Sequence, residues 1–366
     1  MSNCPAEIGM TLDQIQTPAL IVDLAAMEEN IAILAKRVAE NKAGVRLMPH
    51  AKTHKCVEIA QLQIAAGAKG VCCQNVAEAE AMVAGGIKRV LLSNEIVGAD
   101  KSERLARLAR SASIAVCVDH ESQVDMLSAA ATSQSSTLDV LVEIDVGAGR
   151  CGVPPGERAV ALAKYVASKS GLRFAGLQAY HGPAQHFRKP EERTAAITKA
   201  AQLTRDTVAL FKAAGLACEV IAGAGTGSFE NELASGVYNE LQCGSYVFMD
   251  VDYGRNQTDK PFANALFILT TVISAAAPGR AVCDAGLKAS SVDSGLPAVH
   301  GRPAVVYAKI SDEHGTLEIS GEGRVTVGDR LKLIPGHCDP TVNLHDWLIA
   351  CRDGKVEAVW KVARGW

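Results

Sequence analysis

No stretch of this chain reaches the roughly 18 uncharged apolar residues that a membrane helix needs, so a membrane-spanning protein is not expected. The start, Met1-Ser2-Asn3-Cys4-Pro5-Ala6-Glu7, lacks a charged segment followed by an apolar run. A secretory leader is therefore not expected either, and the cytoplasm is the expected compartment. Net charge is scarce: 37 Lys and Arg against 40 Asp and Glu give −3. That balance offers no basic surface for nucleic acid or anionic lipid, and small molecules are the expected partners. Paired CxxC motifs are missing, which removes the usual signal for a structural zinc site. The 11 cysteines are odd in number and lie in apolar runs such as Val71-Cys72-Cys73 and Val116-Cys117-Val118. They read as buried thiols in a reducing compartment. Repeats, low-complexity tracts and long linkers are absent.

What is present is an alternation. Thr17 to Leu24 reads as a strand, and Met27 to Lys42 as a helix with Ile31, Ile33, Leu34 and Val38 at helical spacing. Eight short β-branched runs follow: Val45 to Met48, Gly70 to Cys73, Arg89 to Leu92, Ile114 to Val118, Leu138 to Asp145, Phe174 to Ala179, Cys218 to Ala222 and Asn239 to Cys243. Amphipathic segments separate them, among them Ala77 to Ala84, Ser102 to Ser111, Arg158 to Ser168 and Glu191 to Ala214. Eight strand–helix units over about 200 residues match an α/β fold of the (β/α)8 TIM barrel type rather than an open doubly wound sheet. Its last helix would fall in Tyr253 to Lys260, a polar, turn-rich stretch. Beyond it, seven strand-like runs separated by Gly and Pro predict an antiparallel β domain: Phe267 to Ala275, Ala281 to Asp284, Ala304 to Ile310, Thr316 to Ile319, Arg330 to Ile334, Asp346 to Cys351 and Lys355 to Val362. The expected domains are 17–260 and 261–366, with residues 1–16 packing on the second.

A barrel places its chemistry at the C-terminal ends of its strands. Those ends carry, in order, Lys52, Gln74, Asn94 with Glu95, Asp119, Arg150, Tyr180 with His181 and His186, Thr226, and Gly244 with Ser245. The first lies in Pro49-His50-Ala51-Lys52-Thr53-His54-Lys55. A lysine there, desolvated or beside another cation, would have a lowered pKa and act as an imine-forming nucleophile. A solvated basic turn is the plainer alternative. Gly223-Ala224-Gly225-Thr226-Gly227-Ser228 follows the seventh run and Gly244-Ser245-Tyr246 the eighth. Such loops hold phosphate in barrels, where glycines let backbone N–H groups approach. The glycine run is neither a Walker A loop nor a dinucleotide fingerprint, and read alone it is equally a plain turn. A phosphate site opposite a strand-end lysine is what pyridoxal 5′-phosphate (PLP) requires.

Five segments carry a resemblance in the same order along nearly the whole chain. They are Pro49 to Lys55, Asp145-Val146-Gly147-Ala148-Gly149-Arg150-Cys151-Gly152, Gln178-Ala179-Tyr180-His181-Gly182, Gly225-Thr226-Gly227-Ser228 and Gly336-His337-Cys338-Asp339-Pro340-Thr341. The chain resembles D-threonine aldolases, which belong with D-serine dehydratase and D-threo-3-hydroxyaspartate dehydratase to the alanine-racemase-like (fold type III) PLP enzymes. The resemblance implies Lys52 as the Schiff-base lysine, with Lys55 its nearest competitor. It implies cofactor contacts from Gln74, Arg150, Tyr180, Thr226, Gly227, Gly244, Ser245 and Tyr246. Arg150 would face the pyridine nitrogen and keep it unprotonated, because a guanidinium stays charged and has no acceptor.

His337 and Asp339 are two apart, so an extended segment would point both to one side. Alone, the pattern is a poor metal signal and is better explained by a surface turn. The resemblance makes it a divalent-metal site, and a carboxylate ligand there suits manganese, magnesium or calcium as well as zinc. The D-serine dehydratases carry a cysteine at the matching position, so Asp339 favours the aldolase, with the hydroxyaspartate dehydratase still open. The implied reaction is retro-aldol cleavage of a D-3-hydroxy amino acid. The metal would hold the β-hydroxyl and His186 would take its proton, with His181 the other candidate. A dehydratase using Lys52 at the α-proton, a non-catalytic PLP carrier and a racemase are the alternatives. A carrier would lack residues 265–366, and a racemase needs a second base that the sequence does not offer. The family also suggests a homodimer.

Overall fold

The computed structural model describes residues 4–41, 44–257 and 262–365. The expected helix end at Lys42 and the expected domain boundary at 260/261 lie outside the described residues, as do residues 258–260 of the expected last barrel helix. Strand β1 (Ala19–Asp23) leads directly into helix α1 (Leu24–Ala39). Asp23 caps that helix, its side chain accepting the Ala26 N–H at 3.1 Å and so satisfying one donor the first turn leaves unpaired. Met27, Ile31, Leu34 and Val38 of α1 are buried at helical spacing.

All eight expected barrel runs are strands: β2 (Arg46–Leu47), β3 (Val71–Cys73), β4 (Arg89–Leu92), β5 (Ser113–Val118), β6 (Leu138–Glu143), β7 (Leu172–Gln178), β8 (Val220–Gly223) and β9 (Glu240–Leu241). They form one parallel sheet in the order β2-β9-β8-β7-β6-β5-β4-β3. A parallel bridge between His50 and Cys72, with the Cys72 N–H donating to Pro49 O at 2.8 Å, links its two ends. The intervening helices are α2 (Val57–Ala65), α3 (Val76–Ala84), α4 (Ala99–Leu108), α5 (Glu121–Ser133), α6 (Glu157–Ala167), α7 (Pro190–Ala213), α8 (Phe229–Ser235) and the single turn α9 (Val251–Gly254).

Strands covered on both faces read as continuous apolar runs, and the alternation within each run assigns the faces. Met48, Cys72, Leu91, Cys117, Leu141, Ala175, Val220 and Ala222 pack together inside the barrel. Their neighbours Leu47, Val71, Cys73, Val90, Leu92, Val116 and Val118 pack outward with the helices. All 11 cysteines are free and most are buried, as their apolar settings predict.

The second sheet runs β13 (Val305–Ile310), β14 (Gly315–Ile319), β11 (Arg280–Cys283), β10 (Leu266–Ala277), β1, β16 (Trp347–Arg352), β17 (Lys355–Lys361), with β15 (Arg330–Ile334) on β10 and β12 (Ala298–Val299) on β15. One expectation is corrected here. Strand β1, expected with the barrel half, lies in this sheet, antiparallel to β10 and parallel to β16. The sheet is mostly antiparallel, as expected, with β1 parallel to β16. Pairing is decided by partners more than 240 residues away, which a local pattern does not contain. Residues ahead of β1 do pack here: Ala6 and Ile15 join Ile21, Phe267 and Ile349 in one buried cluster.

Helix α1 returns from this sheet to the barrel. Asn30 donates to Ala263 O at 2.8 Å and accepts from the Ala263 N–H at 2.8 Å, so the crossing between the two units is pinned by a buried side chain. Among the described residues, no helix is long and apolar enough to cross a membrane.

Candidate active site

Beyond β2 the chain turns through a short 3₁₀ segment, Ala51–Thr53, that projects Lys52 from the C-terminal end of the barrel. A cavity of about 350 Å³ opens there, lined by Lys52, Gln74, Arg150, Tyr180, Thr226, Gly244 and Ser245 of the expected set. It is also lined by His50, Ser93, Gln178, Gln242 and Tyr253, which the sequence had not marked. Its volume is at the small end of ligand pockets, which suits a single-ring cofactor with a small substrate.

The donor set fits PLP at both poles. Thr226 Oγ1 accepts the Tyr246 N–H at 2.9 Å, which leaves the hydroxyl proton to donate into the cavity beside Ser245 and Gly225. Across the cavity the Arg150 guanidinium lies over the Tyr180 ring, 5.6 Å from its centroid, and Nη2 is 3.8 Å from Glu143 Oε1. Two expected contacts fall outside the lining. The Gly227 N–H donates to Gln185 Oε1 at 2.9 Å. The Tyr246 phenol accepts from Gln63 Nε2 at 3.0 Å, and its ring packs on Phe262 away from the cavity. Close packing explains two of the glycines without any ligand: a Cβ on Gly225 would lie 2.5 Å from Gln185 Oε1, and one on Gly227 2.4 Å from Gln185 O.

His50 contributes in a way the sequence did not indicate. Its Nε2 lies 3.1 Å from both Gln74 Oε1 and Ser93 Oγ. Burial, with the Lys52 charge adding to it, pulls this imidazole down to about 3, so it is neutral at the cavity wall.

The metal motif reaches the cavity from the second unit. His337 is the extended cap of a short helix, α10 (Cys338–Val342), so Asp339 sits in a first helical turn and not in the extended segment expected. The two groups still converge: Asp339 is the main electrostatic influence holding the His337 imidazole above its ordinary value against burial. Asp339 is buried, with Oδ2 2.5 Å from Lys52 Nζ and Oδ1 3.4 Å from Ser245 Oγ. His337 Nδ1 lies 2.7 Å from Asp293 Oδ2, which orients Nε2 as the free ligand atom. One imidazole and one buried carboxylate, the first already oriented by a carboxylate, form a donor set that fits a divalent cation with open positions.

The lowered pKa expected for Lys52 is not found. Burial does pull the amine down, but the charge and hydrogen bond of Asp339 outweigh it and hold the ammonium above its ordinary value. The same pair keeps Asp339 well below the usual carboxylate range. An anion 287 residues away decides the sign, and the basic cluster around Lys52 gave no hint of it. Lys55 turns away and forms a buried pair with Glu78 at 2.7 Å, leaving Lys52 as the cavity amine.

His186 ends a short 3₁₀ turn, Pro183–His186, at the rim. Its ring lies 5.7 Å from that of Tyr253, which lines the cavity, and its Nδ1 is 2.6 Å from Asp252 Oδ2. Arg188 holds the other Asp252 oxygen, and Arg188 Nη1 donates to Asp252 O at 2.8 Å. His181 is buried beneath the Gly147 loop with Nδ1 accepting the Ala184 N–H, a structural setting. Asp252 and Asp293 were missed because each is far in sequence from the histidine it orients.

Residues 22–252 match the alanine racemase N-terminal domain, and residues 265–351 match a putative serine dehydratase domain. The chain is 47% identical to a D-threonine aldolase of an Arthrobacter species, over 99% of this chain and 96% of that protein. It is 50% identical to a 3-hydroxy-D-aspartate aldolase of Paracoccus denitrificans, over 99% of this chain and 95% of that one. The crystal structure of D-threonine aldolase from Filomicrobium marinum superposes with a TM-score of 0.96 at 48% identity, covering 98% of each chain.

Proposed function

The chain belongs to the family of the alanine racemase N-terminal domain, and on that premise we propose that it is a PLP-dependent lyase. It cleaves D-threonine and related D-3-hydroxy amino acids to glycine and an aldehyde. The observation that carries this reading is a single cavity bordered by Lys52, Arg150, Thr226 and Ser245, with Asp339 of the second unit 2.5 Å from the Lys52 amine.

PLP bound there would supply an electron sink for the pair left on Cα when the Cα–Cβ bond breaks. Lys52 would be the amine that holds it and a proton donor to Cα. Thr226, Ser245 and the Gly225 and Gly244 backbone would hold its phosphate, and Arg150 would supply a permanent cation without an acceptor toward its ring nitrogen. Gln74 and Tyr180, which line the cavity, would border the ring. His337 and Asp339 are the residues that would hold a divalent cation, manganese, magnesium, calcium or zinc, as a Lewis acid toward the substrate's β-hydroxyl. His186 takes the β-hydroxyl proton at Nε2, because Nδ1 is engaged by Asp252. Cytoplasmic residence and a homodimer belong to the same proposal, the buried thiols fitting a reducing compartment.

The deciding experiment incubates D-threonine with purified protein supplied with PLP and manganese. Glycine and acetaldehyde are expected. Ammonia with 2-oxobutanoate would mean a dehydratase, and no turnover together with an unchanged visible spectrum in Lys52→Ala would end the reading.

A further inference from the structure

Residues 250–252 and 335–338 lie side by side, so the last turn of the barrel half touches the segment that carries the metal motif. The Val251 N–H donates to Pro335 O at 3.0 Å, and the Asp252 N–H donates to Gly336 O at 3.1 Å. Asp250, 1% exposed, heads this contact. Its Oδ1 accepts the Tyr253 N–H at 2.9 Å and caps α9, while its Oδ2 accepts the Cys338 N–H at 2.9 Å. The Cys338 N–H opens α10, a helix whose own cap residue, His337, makes no side-chain capping bond. Asp250 therefore caps two helices from two units at once.

Two features mark this contact as specified rather than incidental. Met249, directly before Asp250, takes a left-handed φ of 53°, uncommon in a residue with a Cβ and sustained only where the surroundings over-determine it. On the other side, a Cβ on Gly336 would lie 2.0 Å from Gly295 O, so the approach to the motif is closed between residues 250–252 and the loop that bears Asp293. The elements joined here carry both halves of the chemistry. Helix α9 presents Asp252, which accepts from His186 Nδ1, and Tyr253, which lines the cavity. Helix α10 presents Asp339 beside Lys52, and His337 stands at the junction with its Nδ1 on Asp293.

We propose that Asp250 is a positioning residue: by holding α9 and α10 with one carboxylate it sets the spacing between the His337–Asp339 pair and His186, a role that rests on the metal-assisted aldol cleavage proposed for this site. Asp250 stands outside the cavity lining and acts through two peptide N–H groups. Both of its oxygens are acceptors. An amide in its place would set a donor against the Cys338 N–H in a buried position, which costs that contact while leaving the α9 cap an oxygen.

The test is Asp250→Asn in the PLP-loaded protein. Mn²⁺ binding, read by equilibrium dialysis, should weaken about 10–100-fold, while the visible spectrum of the bound PLP stays as in wild type. At saturating Mn²⁺ kcat for D-threonine should remain about 10-fold or more below wild type, because excess cation fills the pair without restoring its spacing to His186. A loss of stability alone would move neither reading in the folded protein. Unchanged Mn²⁺ affinity, or a kcat fully restored by excess Mn²⁺, overturns the proposal. His337→Ala/Asp339→Ala separates the two levels: if it also binds Mn²⁺ as wild type does, the pair is not the metal site and the positioning role falls with it. Wild-type binding confined to Asp250→Asn overturns the positioning role and leaves the pair standing. If Asp250→Asn does not fold, Asp250→Ser, whose one oxygen serves the α9 cap, gives the same two readings.

Discussion

Replacing Asp252 by Asn tests whether His186 works as an oriented base. Asp252 is 5% exposed, accepts from His186 Nδ1 at 2.6 Å and is clamped by Arg188. Asparagine preserves the shape but removes the charge that favours the Nδ1–H tautomer and stabilises the imidazolium formed during proton transfer. General-base catalysis contributes roughly 10²–10⁴-fold. His186→Ala should therefore lower kcat by about 10²-fold or more, which is about 2.7 kcal/mol at 1.36 kcal/mol per tenfold. Asp252→Asn should remove part of the same contribution, about 10–100-fold within that range. Because both act on one proton, the double variant should be little worse than His186→Ala alone. Acetaldehyde release from D-threonine, followed at saturating substrate, provides the assay. Losses that multiply in the double variant, or an unchanged rate in His186→Ala, would refute the pairing.

Asp293→Ala should weaken divalent-metal affinity about 10–100-fold without unfolding the protein, because it frees the His337 ring, and a manganese titration of activity measures this. Lys55→Met leaves Glu78 as an uncompensated buried charge and should destabilise the fold by about 3–5 kcal/mol in urea unfolding. Burial holds the His54 imidazole down at about 4 against an ordinary 6.5, so the unfolded chain binds the extra proton between those values. Its contribution to stability is thus lost as pH falls from 6.5 toward 4, by at most about 1.4 kcal/mol per pH unit. The measurement is ΔG of unfolding against pH, and His54→Asn should flatten that part of the curve.

Local pattern was enough for the barrel because each strand buries both faces. Val71-Cys72-Cys73 and Val116-Cys117-Val118 are buried throughout, and strand ends follow from strand positions. Lys52, Arg150, Thr226 and Ser245 could thus be placed on one rim before any coordinates, and the family likeness supplied the metal motif. Thr17 to Leu24 showed equally clearly as a strand, yet nothing within it names β10 and β16 as partners. Membership of a sheet is a long-range choice.

The sequence alone determined the alternation of elements, the apolar faces and which reactive side chains stand at the strand ends, since these depend on neighbours within a few residues. Only the tertiary structure decided their electrostatic state and their pairing. The Lys52 amine is held charged by Asp339, His186 is turned by Asp252, His337 by Asp293, and Gly227 is spent on Gln185 and not on the cavity. Such contacts act over a few ångströms between groups 42 to 287 residues apart, and no periodicity along the chain encodes them.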